Sequence, residues 1–124
     1  MNNPLADLVA VFNNREFETA YIIASSQCEV SVDKDSLFWN GIREMCQAFN
    51  TINKGNLDTA EPLLISSMEK LRNFGFRYGD FEVTSALAGM RRGYDEIRRV
   101  TEKDNGTFDI TVFPKLKLSS VNSR

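Results

Sequence analysis

Apolar residues recur along most of this chain at three- and four-residue steps, the period of helices that pack by one face. Leu5, Leu8, Val9 and Phe12 mark the first helix. Asn3 and Pro4 start it, an N-cap amide before a proline at the first helical position, and Asn13-Asn14 breaks it. Phe17, Ala20, Tyr21, Ala24 and Cys28 share one side of a second helix predicted over 15–27. Residues 29–35 carry no helical stripe and read as a connecting loop. The third helix has the clearest pattern, with Phe38, Ile42, Met45, Phe49 and Ile52 on one stripe beside Gly41, Cys46 and Ala48. Asp35 or Ser36 is placed to cap it, and Lys54-Gly55-Asn56 ends it with glycine at the left-handed position.

The fourth helix has its stripe at Ala60, Leu64, Met68 and Leu71, with Leu63 beside it. Pro62 argues for a start at Thr59 rather than Asn56, because a proline in the first turn loses no hydrogen bond. Asn73-Phe74-Gly75 closes it. Asp80 is expected to cap a fifth helix of about twenty residues, with Val83, Leu87, Met90, Tyr94 and Ile97 as its stripe. Gly89 and Gly93 fall on one face beside Ala86 and Val100. Each glycine costs about 1 kcal/mol against alanine in a helix, so close approach of another backbone is the expected return.

Past Gly106 the period changes to two. Phe108, Ile110 and Val112 alternate with polar residues, as do Leu116 and Leu118 after Pro114. No hairpin signal separates the runs. The expected fold is all-α, a compact bundle of about five helices over 1–106 with a short extended C-terminal arm over 107–124. The whole is a single domain, with 119–124 fraying. Two similar turns, at 13–20 and 54–60, both lead into Thr-Ala, but two copies are too few for a solenoid. Phe108, Ile110, Val112, Leu116 and Leu118 are too apolar for a free tail. With no sheet expected in the same chain to receive it, the arm either crosses its own helices or is exchanged between copies, and the joints at Asn105-Gly106 and Pro114 favour the exchange.

Composition removes many chemistries. The chain has 124 residues, no histidine, two cysteines and a formal net charge of −2. The commonest general base, metal ligand and pH switch are therefore missing, and two cysteines are too few for a thiolate zinc site. The serine pairs Ser25-Ser26 and Ser66-Ser67 have no histidine to activate them, and no phosphate-binding glycine loop is present. No secretory leader and no membrane-length apolar run is visible, so a cytoplasmic protein with reduced cysteines and no membrane partner is expected.

Three features carry what chemistry is left. Asn40, Glu44 and Gln47 lie a turn apart on the polar side of the third helix. They are a candidate polar patch, or simply a solvated face. Phe74, Phe76, Arg77 and Tyr78 form a candidate interaction loop, since three aromatics in six residues should fold back onto the bundle or dock a partner. Arg91, Arg92, Arg98 and Arg99 could form a phosphate ridge, but Asp95 and Glu96 are spaced to pair with them. Nucleic acid is disfavoured. Trp39, beside Phe38, reads as a partly buried packing residue.

The order of landmarks resembles the small all-helical family called domain of unknown function 309, labelled a metal-dependent hydrolase on motif grounds. Phe12-Asn13, Phe17 and Ala20 are similar to its entry into the second helix. Phe38-x-Asn40-Gly41-Ile42 and Lys54-Gly55-Asn56 with Ala60, Leu63-Leu64 and Leu71 are similar to its central hairpin. Pro114-Lys115-Leu116-Lys117-Leu118 looks like its ending. The likeness implies the fold. It departs at the family's His-Glu and following Glu, where this chain has Tyr21, Ile22 and Ser25. Arg15 stands for a family glycine, and Asn40 and Glu44 for two glutamines. The reading is a non-catalytic interaction or oligomerisation protein, partnered by protein and self-associating, with no catalytic residue, metal or cofactor assigned. A degenerate hydrolase, or a module binding a small molecule or nucleic acid, is the alternative.

Overall fold

The computed structural model describes residues 3–103 and 106–119. Five helices form an all-α bundle: α1 (Pro4–Asn13), α2 (Phe17–Val30), α3 (Asp33–Asn53), α4 (Leu57–Leu71) and α5 (Val83–Lys103). Central α3 packs on both α2 and α4; α1 leans on α2, and α5 on α4. No described helix is long and apolar enough to cross a membrane.

The first helix starts as its sequence dictates, with the Asn3 side chain accepting from the Ala6 N–H. Arg15 makes the turn into α2 at a φ of 64°, a left-handed conformation that costs a non-glycine residue about 1 kcal/mol. The expected loop over 29–35 is shorter than its composition implies. Helix α2 runs on to Val30, and α3 begins at Asp33, with Val32 rather than Asp35 or Ser36 at its N-cap. The Asp35 carboxylate is engaged elsewhere, by the Tyr78 hydroxyl.

Helix α4 starts at Leu57, not at Thr59. The Asn56 side chain accepts from the Thr59 N–H and caps it, which leaves Pro62 inside the helix. Both Pro62 and Asp58, whose carbonyl would have received that missing N–H, are exposed, so the carbonyl is open to solvent. Where α3 crosses α4, a Cβ on Gly41 would lie 2.7 Å from a Leu71 methyl, and the Ser67 hydroxyl donates to the Gly41 carbonyl at 2.7 Å.

The core is largely aromatic. Phe12, Phe17, Phe49 and Phe113 meet mostly edge to face, with centroids 4.9–6.0 Å apart. A second cluster gathers around Phe38, against Trp39, Phe74, Tyr78 and Phe81. Trp39 is buried in it, as a packing residue should be.

Two elements depart from the helical plan. After a 3-10 turn at Arg72–Phe74, residues 77–82 form a small antiparallel hairpin, β1 (Arg77–Tyr78) and β2 (Phe81–Glu82), with Gly79 at a φ of 57° in the turn. Asp80 therefore sits in a hairpin turn and does not cap α5; the Phe76 carbonyl accepts from the Val83 and Thr84 N–H groups instead. The hairpin also supplies a sheet edge that the residue pattern does not announce. Leu118 bridges antiparallel to Phe81, the Glu82 N–H donates to the Lys117 carbonyl at 3.0 Å, and the Ser119 N–H donates to the Asp80 carbonyl at 2.7 Å.

The arm thus lies on its own bundle, with its last five residues, and Asn105 of the expected joint, outside the described residues. Its apolar pattern differs from the alternation read in the sequence. Phe113, Pro114 and Leu116 are buried; Phe108 and Val112 are half-buried; Ile110 and Leu118 are largely exposed. The reason is a short 3-10 turn at Ile110–Val112, which the Asp109 side chain caps by accepting from the Thr111 N–H. That turn rotates Phe113 onto Phe17 and Phe49.

Candidate functional site

The three polar residues of α3 do not converge on one centre. Asn40 bonds its own helix, donating to the Ser36 carbonyl, and accepts from Arg43. Glu44 accepts from the Ser66 hydroxyl at 2.8 Å and from Lys70 at 3.0 Å, partners on α4 that local sequence could not show. Gln47 lines a different depression, shared with Tyr21, Asn50, Thr59 and the Glu18–Lys54 pair. At the positions that the family likeness aligns with its His-Glu and Glu, Ile22 is exposed and the Ser25 hydroxyl is buried with no partner among the described residues. The only carboxylate among the aligned positions is Glu44, already held by a lysine. That donor set does not fit a divalent metal, and among the described residues no three His, Cys, Asp or Glu side chains cluster closely enough to hold one.

The arginines of α5 split into two groups. Arg91 pairs with Asp95, Arg98 with Glu61 and Glu102, and Arg99 with Glu96. Arg92 makes no ion pair among the described residues and faces the arm. It lines a groove that the arm itself completes.

Three contacts seat the arm. At its start, Glu96 accepts from Arg99 and from the Asp109 N–H at 2.8 Å, while Arg99 donates to the Thr107 carbonyl at 2.9 Å. These bonds favour the Glu96 carboxylate and hold it below its ordinary range, the Arg99 contact first. In the middle, Pro114 presses on α5 where Gly89 has no side chain: a Cβ there would stand 2.3 Å from the Pro114 Cβ. The close approach expected at the glycines is therefore real at Gly89, with the arm rather than a helix. Gly93 instead faces the Phe49 ring, 3.2 Å from its would-be Cβ. At the far end the Asn13 amide brackets Leu116, donating to its carbonyl at 3.0 Å and accepting from its N–H at 2.6 Å. Arg15 lies over the Phe113 ring at 5.3 Å.

With the arm seated, two open sections of about 570 and 550 Å3 join at Glu82 and Thr84. Arg77 lines the first; Arg92, Lys115 and Lys117 line the second. Lys115 donates to the Asn13 carbonyl at 2.6 Å, which uses one of its three N–H donors and leaves its charge uncancelled. Among the described residues Glu82 is the only carboxylate lining either section, and it accepts from the Ser119 hydroxyl. The candidate interaction loop contributes unevenly. Phe74 and Tyr78 pack back onto Phe38, while Arg77 is exposed and Phe76 stands 85% exposed at the mouth of the first section.

Sequence reading singled out Phe76 and Arg77 but missed Lys115, Lys117 and Glu82. The one local signal was the Lys-Leu-Lys-Leu alternation after Pro114, which places both lysines opposite the buried Leu116. No family model, curated protein or solved structure matches the chain.

Proposed function

We propose that this chain is a non-catalytic protein-interaction module that binds through the groove between α5 and the arm. The observation that carries the reading is the charge of that groove: four cations against one carboxylate among the described residues, in a chain whose formal net charge is −2. Clustered like charge costs stability unless something outside the chain offsets it. Phe76 supports the same reading, because an aromatic ring left 85% exposed at a groove mouth is the kind of anchor that interfaces bury. The likeness to the domain-of-unknown-function-309 family supports a shared helical frame. The side chains at its motif positions favour binding over hydrolysis. Self-association would place a second copy in this groove rather than exchange the arm, whose apolar residues already have an intramolecular seat.

Panning an unbiased peptide library against the intact protein tests this. Enriched peptides should lose binding to Arg92→Glu and to Phe76→Ala while keeping it for Arg91→Glu, a control on the same helix. Failure to enrich any peptide sensitive to the groove variants would refute the reading.

A further inference from the structure

Resting on that reading, we infer that the groove's partner is an acidic polypeptide segment whose carboxylates meet Arg92, Lys115, Lys117 and Arg77, with an apolar side chain set on Phe76.

The charge distribution selects the class. The groove lining carries a formal +3, whereas the whole chain carries −2, so everything outside the groove sums to −5. A short acidic segment feels mainly the local field, because screening limits its reach to about 8 Å at physiological salt. A long polyanion runs past the groove onto a surface of its own sign. Glu82 sharpens the choice. It sits where the two sections join, between Arg77 on one side and the Arg92–Lys115–Lys117 group on the other. A nucleic-acid strand brings a negative charge with every nucleotide and must set one against Glu82. A peptide can turn a backbone N–H or a hydroxyl toward that carboxylate, as Ser119 already does, and keep its acidic side chains for the cations. The hydroxyls of Thr84, Ser85 and Ser119 line the same path and suit a polar backbone. Phe76 offers a single exposed ring, since Phe113 in the second section is buried, where nucleic-acid grooves stack successive bases on several.

The test is fluorescence anisotropy on the full chain with three labelled probes: a short Glu/Asp-rich peptide containing one Phe, its Gln/Asn counterpart, and an oligothymidylate. The acidic peptide should bind, weaken with added salt, and bind at least about tenfold tighter than the neutral one. Arg92→Glu with Lys117→Glu should weaken it by about tenfold or more, while Arg91→Glu changes it less than about twofold. Glu82→Gln should tighten binding, a gain that misfolding cannot imitate. Equal binding of the neutral peptide, or tighter binding of the oligothymidylate with the same sensitivity to Arg92 and Lys117, would overturn the acidic-peptide inference and leave the groove in place. So would library peptides that need the groove but carry no acidic residues. Binding indifferent to Arg92, Lys117 and Glu82 would overturn the site as well.

Discussion

Lys70 on α4 sits 3.0 Å from Glu44 on α3, and Lys54 lies 4.0 Å from Glu18, so two lysines of the α2–α3–α4 side have carboxylate partners. Elsewhere, Arg77, Arg92, Lys115 and Lys117 line one groove with a single carboxylate among the described residues. The chain does not lack acids; it has 17, of which Glu82 is the one that lines this groove among the described residues. What differs is what assembles each face. The first is built by helix packing that also brings opposite charges together. The second is closed by an arm whose apolar residues drive it down. Burying Phe113 and Leu116 stabilises by about 1.5–3 kcal/mol each, enough to hold two lysines near an arginine. A face stabilised by its own pairing is finished, whereas a face held against its own repulsion has affinity left for a partner.

The sharpest way to break this contrast is to remove the apolar anchor. Phe113→Ala should cost about 3–5 kcal/mol by denaturant melt and abolish groove binding, because Phe113 packs on Phe17, Phe49 and Phe108. Phe76→Ala, at the exposed mouth, should stay within about 0.5 kcal/mol and affect binding alone. Equal costs would mean that the arm is not seated as described.

Next in size is the polar clasp at the arm's start. Glu96→Ala should cost about 1–3 kcal/mol, since the Asp109 N–H and Arg99 lose their acceptor. Glu96 is more acidic folded than unfolded. Its contribution is therefore complete above the unfolded value of about 4.3 and disappears as pH falls through the lower folded value. Protection of the Asp109 amide, taken relative to its intrinsic exchange rate, should fall in that acid window, and lower protection toward neutral pH would reverse the sign.

Smaller effects separate the two faces directly. Lys70→Ala should destabilise by about 0.2–1 kcal/mol through the lost Glu44 contact. Arg92→Ala should be neutral within about 0.5 kcal/mol, or slightly stabilising as repulsion from Lys115 and Lys117 falls. A larger loss at Arg92 than at Lys70 would show that the groove has an internal pairing of its own. Smallest is Ser25→Ala, expected to be neutral or stabilising by under about 1 kcal/mol because its buried hydroxyl has no partner among the described residues.

How much of this was legible follows from range. Asn3-Pro4, the α3 stripe and the Lys54-Gly55 stop act over a few residues, and the structure keeps each of them. The start of α4 was misread because Asn56 both follows the Gly55 stop and caps the next helix, and a good cap outweighs a proline on an exposed turn. The hairpin at 77–82 is two residues per strand, too short for any alternation to show. The arm's true face depends on a 3-10 turn that shifts the register by one, from Val112 to Phe113. The groove was least legible of all. Arg92 stands 23 residues from Lys115 in the chain, and long-range contacts such as Gly89–Pro114 and Glu96–Asp109 bring their elements together.

Those contacts give the most direct test of the account, a double-mutant cycle between Gly89→Ala and Pro114→Gly, melted at low and at high protein concentration. Gly89→Ala alone should destabilise by about 1–3 kcal/mol, because its Cβ would stand 2.3 Å from the Pro114 Cβ. In the Pro114→Gly background most of that cost should vanish, giving an interaction energy of about 0.5–3 kcal/mol that is the same at both concentrations. Additive effects would contradict the seating of the arm on α5, and a coupling that appears only at high concentration would put the arm on a neighbouring copy instead.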